Sequence, residues 1–337
     1  MLSVNETTTR RRLLTGTAAL AAAGAFGVGS RLLGHDKESE AMQTQLTRSD
    51  RNLRGVDSVL SSPREHWVGD GFRVHGVLSP NGDPRAQSPF LLLDHASARR
   101  FEPSKVQRGV REHPHRGFET VTFAYKGEIA HRDSTGAGGL IGPGDVQWMT
   151  AASGVVHEEL HSRRFTEQGG DMEMVQLWVN LPAKDKMSTP SYQPLVDKDF
   201  PRLSVGAAEA RLIAGSLLDH TGPAHTHTAI TIFDLRFEQD GVAEFELPKG
   251  YTSLLFNLEG KLSVGRDAQA TAVGTMAFMS RDEGIVRVHG ERHARLLVLS
   301  GEPIDEPVAS YGPFVMNTRE ELQQAVFDYQ NGKMGHL

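Results

Sequence analysis

The chain has 337 residues, a formal net charge of −6 and no cysteine. That length suits one large or two medium domains, and the mild acidity, with no long basic run, offers nothing to nucleic acid. The absence of cysteine excludes disulfides, thiolate zinc sites, iron–sulfur clusters and cysteine nucleophiles, so any metal must be held by imidazole, carboxylate and water.

The first segment reads as a targeting signal. TRRRLLT at Thr9–Thr15 precedes an apolar, Ala/Gly-rich stretch from Thr17 to Gly29. A positive region followed by a short apolar one marks an export leader, and paired arginines mark the twin-arginine type; a basic tail without structure is the plainer alternative. The apolar run is too short and Gly-rich for a membrane span. Residues 1–34 are therefore assigned to a leader. The mature protein is expected in the periplasm or outside the cell without membrane attachment, with the cytoplasm as the alternative.

Residues 35–65 are polar and uneven, a lead-in to the first domain. From Trp67 the pattern becomes short apolar or alternating runs between Gly, Pro, Asn and Asp: FRVHGVL, PFLLLDH, FETVTFAY, VQWMTA and MVQLWVNL. A second series starts near Leu203 with ARLIAGSL, AITIFDLRF, VAEFEL, SLLFNL, KLSVG, TMAFMS and ARLLVLSG. Many short strands with turn signals and little helical periodicity predict β-sandwich or barrel domains. One helix is expected at the C-terminus. Thr318 and Glu321 form a capping box there, and Leu322, Ala325, Val326 and Tyr329 form an apolar stripe.

The two series are copies of one unit. GFETVTFAYKGEIA from Gly117 aligns without a gap on GYTSLLFNLEGKLS from Gly250, and GDVQWM from Gly144 aligns on GTMAFM from Gly274. The expectation is an all-β protein of two tandem barrels, at 45–195 and 196–310, with a short C-terminal helix and tail at 311–337.

Two segments carry chemistry. EHPHRGFET contains His113 and His115, a pairing near the chance expectation for a chain with 15 histidines. GVVHEELH contains His157, Glu158, Glu159 and His161. On a helix, H-E-x-x-H would make His157 and His161 zinc ligands and Glu158 the base of a metalloprotease. On a strand, His157 and Glu159 share a face and would oppose His113 and His115 across a barrel. Gly154-Val155-Val156 is a poor helix interior, and the protease reading leaves His113 and His115 idle, so the strand is favoured. A three-imidazole, one-carboxylate shell accepts Fe, Mn, Co, Ni, Cu or Zn.

Several neighbours admit two readings. Arg116 and Trp148 flank the claws as site residues or as packing. His131 and Asp133 on AHRDS are outer partners of the site or a solvated strand. In the second copy His113 and His115 fall on Glu246 and Pro248, and His157 and Glu159 fall on Arg287 and His289, so one metal per chain is expected. His225 and His227 read as a chance pair at a strand start, with a weak second site as the alternative.

HPHRGFETVT, PGDVQWMTA, GVVHEE, QLWVNLPAKDKM and NTREELQQAVFDYQNGKMG resemble the pirin family over roughly residues 45–337. The resemblance implies two cupin barrels, jelly-roll-like, with metal in the first alone. It implies His113, His115, His157 and Glu159 as ligands, Fe(II) as the usual metal, and a structural role for Glu119, which many cupins use as a ligand. It further implies a quercetin 2,3-dioxygenase-like activity, in which a flavonol and dioxygen meet at the metal, Glu159 or an adjacent carboxylate takes the flavonol hydroxyl proton, the heterocycle opens and carbon monoxide leaves. The alternatives are a non-enzymatic iron-binding protein that signals its redox state to a protein partner, and an enzyme for another small aromatic. A monomer is expected. An export leader departs from the mostly cytoplasmic or nuclear family, and favours work on small extracellular aromatics over a role in transcription.

Overall fold

The protein is described by a computed structural model covering residues 52–61 and 64–337. The leader expected at 1–34 lies outside the described residues. Among the described residues, no helix is long and apolar enough to cross a membrane.

Two barrels of the same plan take up most of the strands. The first has a seven-stranded sheet ordered Ser191–Leu195, Val146–Thr150, Phe118–Lys126, Gly170–Asn180, Phe90–Phe101, Phe72–Leu78 and Glu65–Val68. A four-stranded sheet ordered Gly109–His115, Val155–His161, Ile129–Asp133 and Gly138–Ile141 accompanies it. In the second barrel the larger sheet runs Val56–Ser61, Thr275–Met279, Thr252–Glu259, Arg295–Gly301, Ile230–Phe237, Ala208–Ala214 and Arg202–Val205. Its smaller sheet runs Gly241–Glu246, Ile285–Gly290, Leu262–Val264 and Gln269–Thr271. The all-β, two-barrel architecture expected from the sequence is the one found.

Strand alternation divides each larger sheet into two faces. Val121, Phe123, Val146, Trp148, Val175 and Leu177 of the first barrel share one apolar cluster with Ile232, Leu254, Phe256, Leu297 and Leu299 of the second. Burying a side chain of this kind contributes roughly 1.5–3 kcal/mol, so the seam holds the barrels together. Thr122, Gln147 and Gln176, one residue out of phase, turn into the first barrel instead, where they bond to Glu159.

The strand in front of each barrel belongs to the other one. Val56–Ser61 pairs with Thr275–Met279, placing Val59 opposite Ala277. Ser191–Leu195, which precedes the second barrel, pairs with Val146–Thr150, placing Gln193 opposite Trp148. Residues 56–61 thus fall in the span 45–195 yet sit in the sheet of the second barrel, covering an edge whose backbone groups would otherwise be unpaired. Arg54, fully buried, fastens this arm: its guanidinium donates to Ser253 Oγ (3.2 Å) and to the carbonyls of Pro248 (3.0 Å) and Leu247.

The other end of the chain returns to the first barrel. A hairpin of Ala309–Tyr311 and Phe314–Met316 leads to the helix Arg319–Gln330, whose N-terminus carries the expected capping box of Thr318 and Glu321. Leu322 and Ala325 pack with Val156, Phe314, Met316 and Met334. Tyr329, expected on the apolar stripe, is 39% exposed, and Asp328 is the buried residue beside it. Two short helices, Pro84–Gln87 and Arg163–Gln168, each N-capped by a side chain, escape the sequence reading because they are too short to show a period.

Asp328 makes a 2.9 Å ion pair with buried Arg116, next to His115, and a second with Lys333. The bond from Lys333, aided by Arg116, holds its carboxyl down at about 2. That value is below the roughly 3.9 of a free aspartate, so the contribution is complete above about pH 4 and disappears as pH falls through 2. Asp328→Ala strands the Arg116 charge in the interior, and urea unfolding at pH 7 should show a loss of about 3 kcal/mol. That loss should shrink as the pH of the measurement approaches 2.

Candidate metal centre

The ladder between Gly109–His115 and Val155–His161 sets the site. Its register places His157 opposite His113 and Val155 opposite His115. Val156, on the outward face, lies under the C-terminal helix, while the neighbouring His157 turns inward. One ligand-capable nitrogen each from His113, His115 and His157 lies within 4.8 Å of the others. Nε2 of His157 and Nε2 of His113 are 2.9 Å apart. Two nitrogens each about 2.1 Å from one ion are about 3 Å apart when they subtend a right angle, so this spacing suits a shared ion.

The electronic state suits it as well. Burial, reinforced by the neighbouring His113, pushes His115 and His157 well below the usual histidine range, so both are neutral and offer a lone pair. His113 Nδ1 lies 2.7 Å from the Arg111 carbonyl and His115 Nδ1 lies 3.3 Å from the Pro313 carbonyl. A proton committed to Nδ1 leaves Nε2 free for a metal. Phe118 and Trp178 hold the His115 ring edge-on, at 5.0 and 5.2 Å between centroids. The turn just after the claw requires Gly117: its φ is +88°, and a Cβ would come 2.0 Å from the Val315 carbonyl oxygen.

Three of the four expected ligands therefore converge. Glu159 shares the barrel interior but stands outside that group. Its Oε1 accepts from Thr122 Oγ1 (2.9 Å) and Gln147 Nε2, and its Oε2 from Gln176 Nε2 (3.1 Å). The strand is irregular between His157 and Glu159 in its pairing with Gly109–His115. Thr122, Gln147 and Gln176 were not singled out from the sequence. The available signal was polar residues at one parity of strands whose other parity is apolar.

The remaining candidates sort cleanly. HEELH is a strand, which removes the metalloprotease reading. His161 bonds through Nε2 to the Gly71 carbonyl (3.0 Å) and packs among Phe72, Phe101 and Phe165. Glu119 has the parity of Val121, away from the claw; Trp148 Nε1 and Thr150 Oγ1 donate to its Oε1, and burial raises its carboxyl to about 7. Arg116 bonds to the Ser153 carbonyl and to Asp328, so it and Trp148 both serve the frame. His225 and His227 are exposed; Gln193 holds the backbone of the former, and Asp185 lies 3.7 Å from the latter. They are not in the three-ligand group found among the described residues. His131 and Asp133 are buried, so the solvated-strand reading of AHRDS does not hold.

In the second barrel the matching strands turn Ala243, Phe245, Val286 and Val288 into an apolar core. Glu244 and Arg287 pair with each other on the other face. The sequence offset had set Arg287 against His157, but the residues that occupy the equivalent interior are its apolar neighbours.

Fold and site together define a two-barrel cupin protein with a cluster of three imidazoles in its first barrel. Residues 71–179 match the model of the Pirin family and residues 232–335 that of the pirin C-terminal cupin domain. A protein of Pseudomonas aeruginosa named "Putative quercetin 2,3-dioxygenase" is 50% identical over 283 residues, covering 83% of this chain and 98% of its own. Human pirin is 34% identical over 284 residues, covering 82% and 92%. The crystal structure of a quercetin 2,3-dioxygenase from Acinetobacter baumannii superposes with a TM-score of 0.81 at 43% identity, over 84% of this chain and 99% of that one. The chain belongs to the pirin family.

His115→Ala removes a buried nitrogen donor without disturbing the ladder. Elemental analysis after dialysis against a trace of chelator should find metal in the parent protein and none in the variant.

Proposed function

We propose that this chain is a metal-dependent dioxygenase that opens the heterocycle of a flavonol such as quercetin with dioxygen. The observation that carries the reading is the convergence of three imidazoles beside the polar cluster of Glu159, Thr122, Gln147 and Gln176, in a chain half identical to a relative bearing a quercetinase name. His113, His115 and His157 hold one divalent ion, Fe(II) in this reading, and Glu159 serves as the fourth ligand and proton acceptor. The bound ion supplies a Lewis acid and a template for the two substrates.

The chain's own residues supply the rest. Glu159 is held by a hydroxyl and two amides, none of them charged, so it can take the flavonol 3-hydroxyl proton without breaking an ion pair. His113, Gln176, Trp178 and Tyr192 are partly exposed while most of their surroundings are buried, so a flat aromatic enters on their side. Trp178, with its ring 4.2 Å from that of Phe118, offers it an apolar face. An exported location, from the arginine-rich leader, belongs to the same proposal and is checked by fractionating the native host.

Purified protein loaded with Fe(II), quercetin and air should lose the flavonol absorbance and release carbon monoxide. Glu159→Gln should lower kcat by roughly 10²–10⁴-fold; full turnover in that variant removes the proton-acceptor role. No turnover with any of the six candidate metals would replace this reading by the non-enzymatic, redox-responsive one.

A further inference from the structure

The three converging imidazoles differ in how their second nitrogen is held. For His113 and His115 the partner of Nδ1 is a backbone carbonyl, which only accepts a hydrogen bond and so fixes the proton on Nδ1. For His157 the partner is another imidazole: its Nδ1 lies 3.4 Å from Nδ1 of His131. A neutral imidazole can either donate or accept there, so the state of His157 depends on which nitrogen of His131 carries the proton.

The surroundings of His131 decide that. Strand Ile129–Asp133 runs beside Val155–His161, with Asp133 opposite His157 and His131 opposite Glu159. The His131 side chain is fully buried, and its ring stacks on Tyr192 at 4.7 Å and 9°. Its Nε2 lies 3.2 Å from Asp133 Oδ2. The other oxygen, Oδ1, already accepts from the Thr135 backbone N–H (2.9 Å), Thr135 Oγ1 (2.6 Å) and the Ala137 N–H (3.2 Å). A carboxylate so placed accepts from His131 as well, which puts the His131 proton on Nε2. His131 Nδ1 is then a lone pair aimed at His157, and His157 must donate from its own Nδ1.

We propose that His131, oriented by Asp133 and Tyr192, is a positioning residue that locks His157 in the Nδ1–H state, so that its Nε2 lone pair points at the other two imidazoles. The inference rests on the metal-centre reading and extends it. Of the three imidazoles, His157 is the one whose protonation pattern is set by a side chain, and so the one that a point substitution elsewhere can unset. The strand that brings Tyr192 against His131 is the one that precedes the second barrel, so the exchange of strands also fixes this ring.

His131→Phe keeps the ring, its bulk and the stack on Tyr192 but removes the acceptor. His131→Gln keeps an acceptor for His157 and a donor for Asp133. With zinc(II) as the probe and a chromophoric chelator as competitor, His131→Phe should bind about 10–100-fold more weakly than the parent. His131→Gln should stay within about threefold of it. In the metal-free parent, ¹⁵N–¹H spectra of the imidazoles should show His157 protonated at Nδ1, and this pattern should be lost or mixed in His131→Phe. Parent-like affinity in a folded His131→Phe, or a parent spectrum with His157 protonated at Nε2, overturns the proposal while leaving the metal centre intact. A parent that binds no zinc overturns the metal centre and the proposal with it. Should His131→Phe not fold, the parent spectrum alone decides.

Discussion

Three imidazoles can converge within a few ångströms of one another only if the two buried ones, His115 and His157, stay neutral and each Nδ1 proton has somewhere to go. Much of the first barrel answers that requirement. Arg111 supplies a carbonyl from the same strand, and Pro313 supplies one from a segment nearly 200 residues away. The C-terminal helix is thereby more than a cover. Its Asp328 neutralises Arg116, the residue between His115 and Gly117, and its apolar face seals the outside of the strand that carries His157.

The fold was legible because its signals are local. Period-two runs such as FETVTFAY and the Gly-started repeats survive in the primary structure, and the Thr318–Glu321 capping box is complete within four residues. The three imidazoles were legible as well, through H-x-H and H-x-E spacing on strands. What stayed hidden depends on pairing between distant segments. Nothing in VDSVLS says that it joins the second barrel, and nothing in YGPF says that a proline carbonyl meets His115. The Glu159 environment was hidden for a related reason: Thr122, Gln147 and Gln176 come from three strands, and only their parity hints that they meet.

The two barrels show how far one plan can diverge while its topology is kept. At the strands that hold the histidines in the first, the second presents Ala243, Phe245, Val286 and Val288. Apolar filling makes that interior a source of packing energy, whereas the first gives up some packing for a polar chamber of imidazoles, amides and a carboxylate. The seam of apolar residues between the larger sheets joins the chemically equipped barrel to the solidly packed one.

The exchange of leading strands has a consequence for assembly. A free chain of one such barrel would lack its edge strand and could complete its sheet only by taking one from a second molecule, an association that weakens on dilution. Here both donors and both acceptors are on one polypeptide, where a tether of ordinary length supplies an effective concentration on the order of millimolar. Completion of both larger sheets is thus a unimolecular event, indifferent to how scarce the protein is in its surroundings.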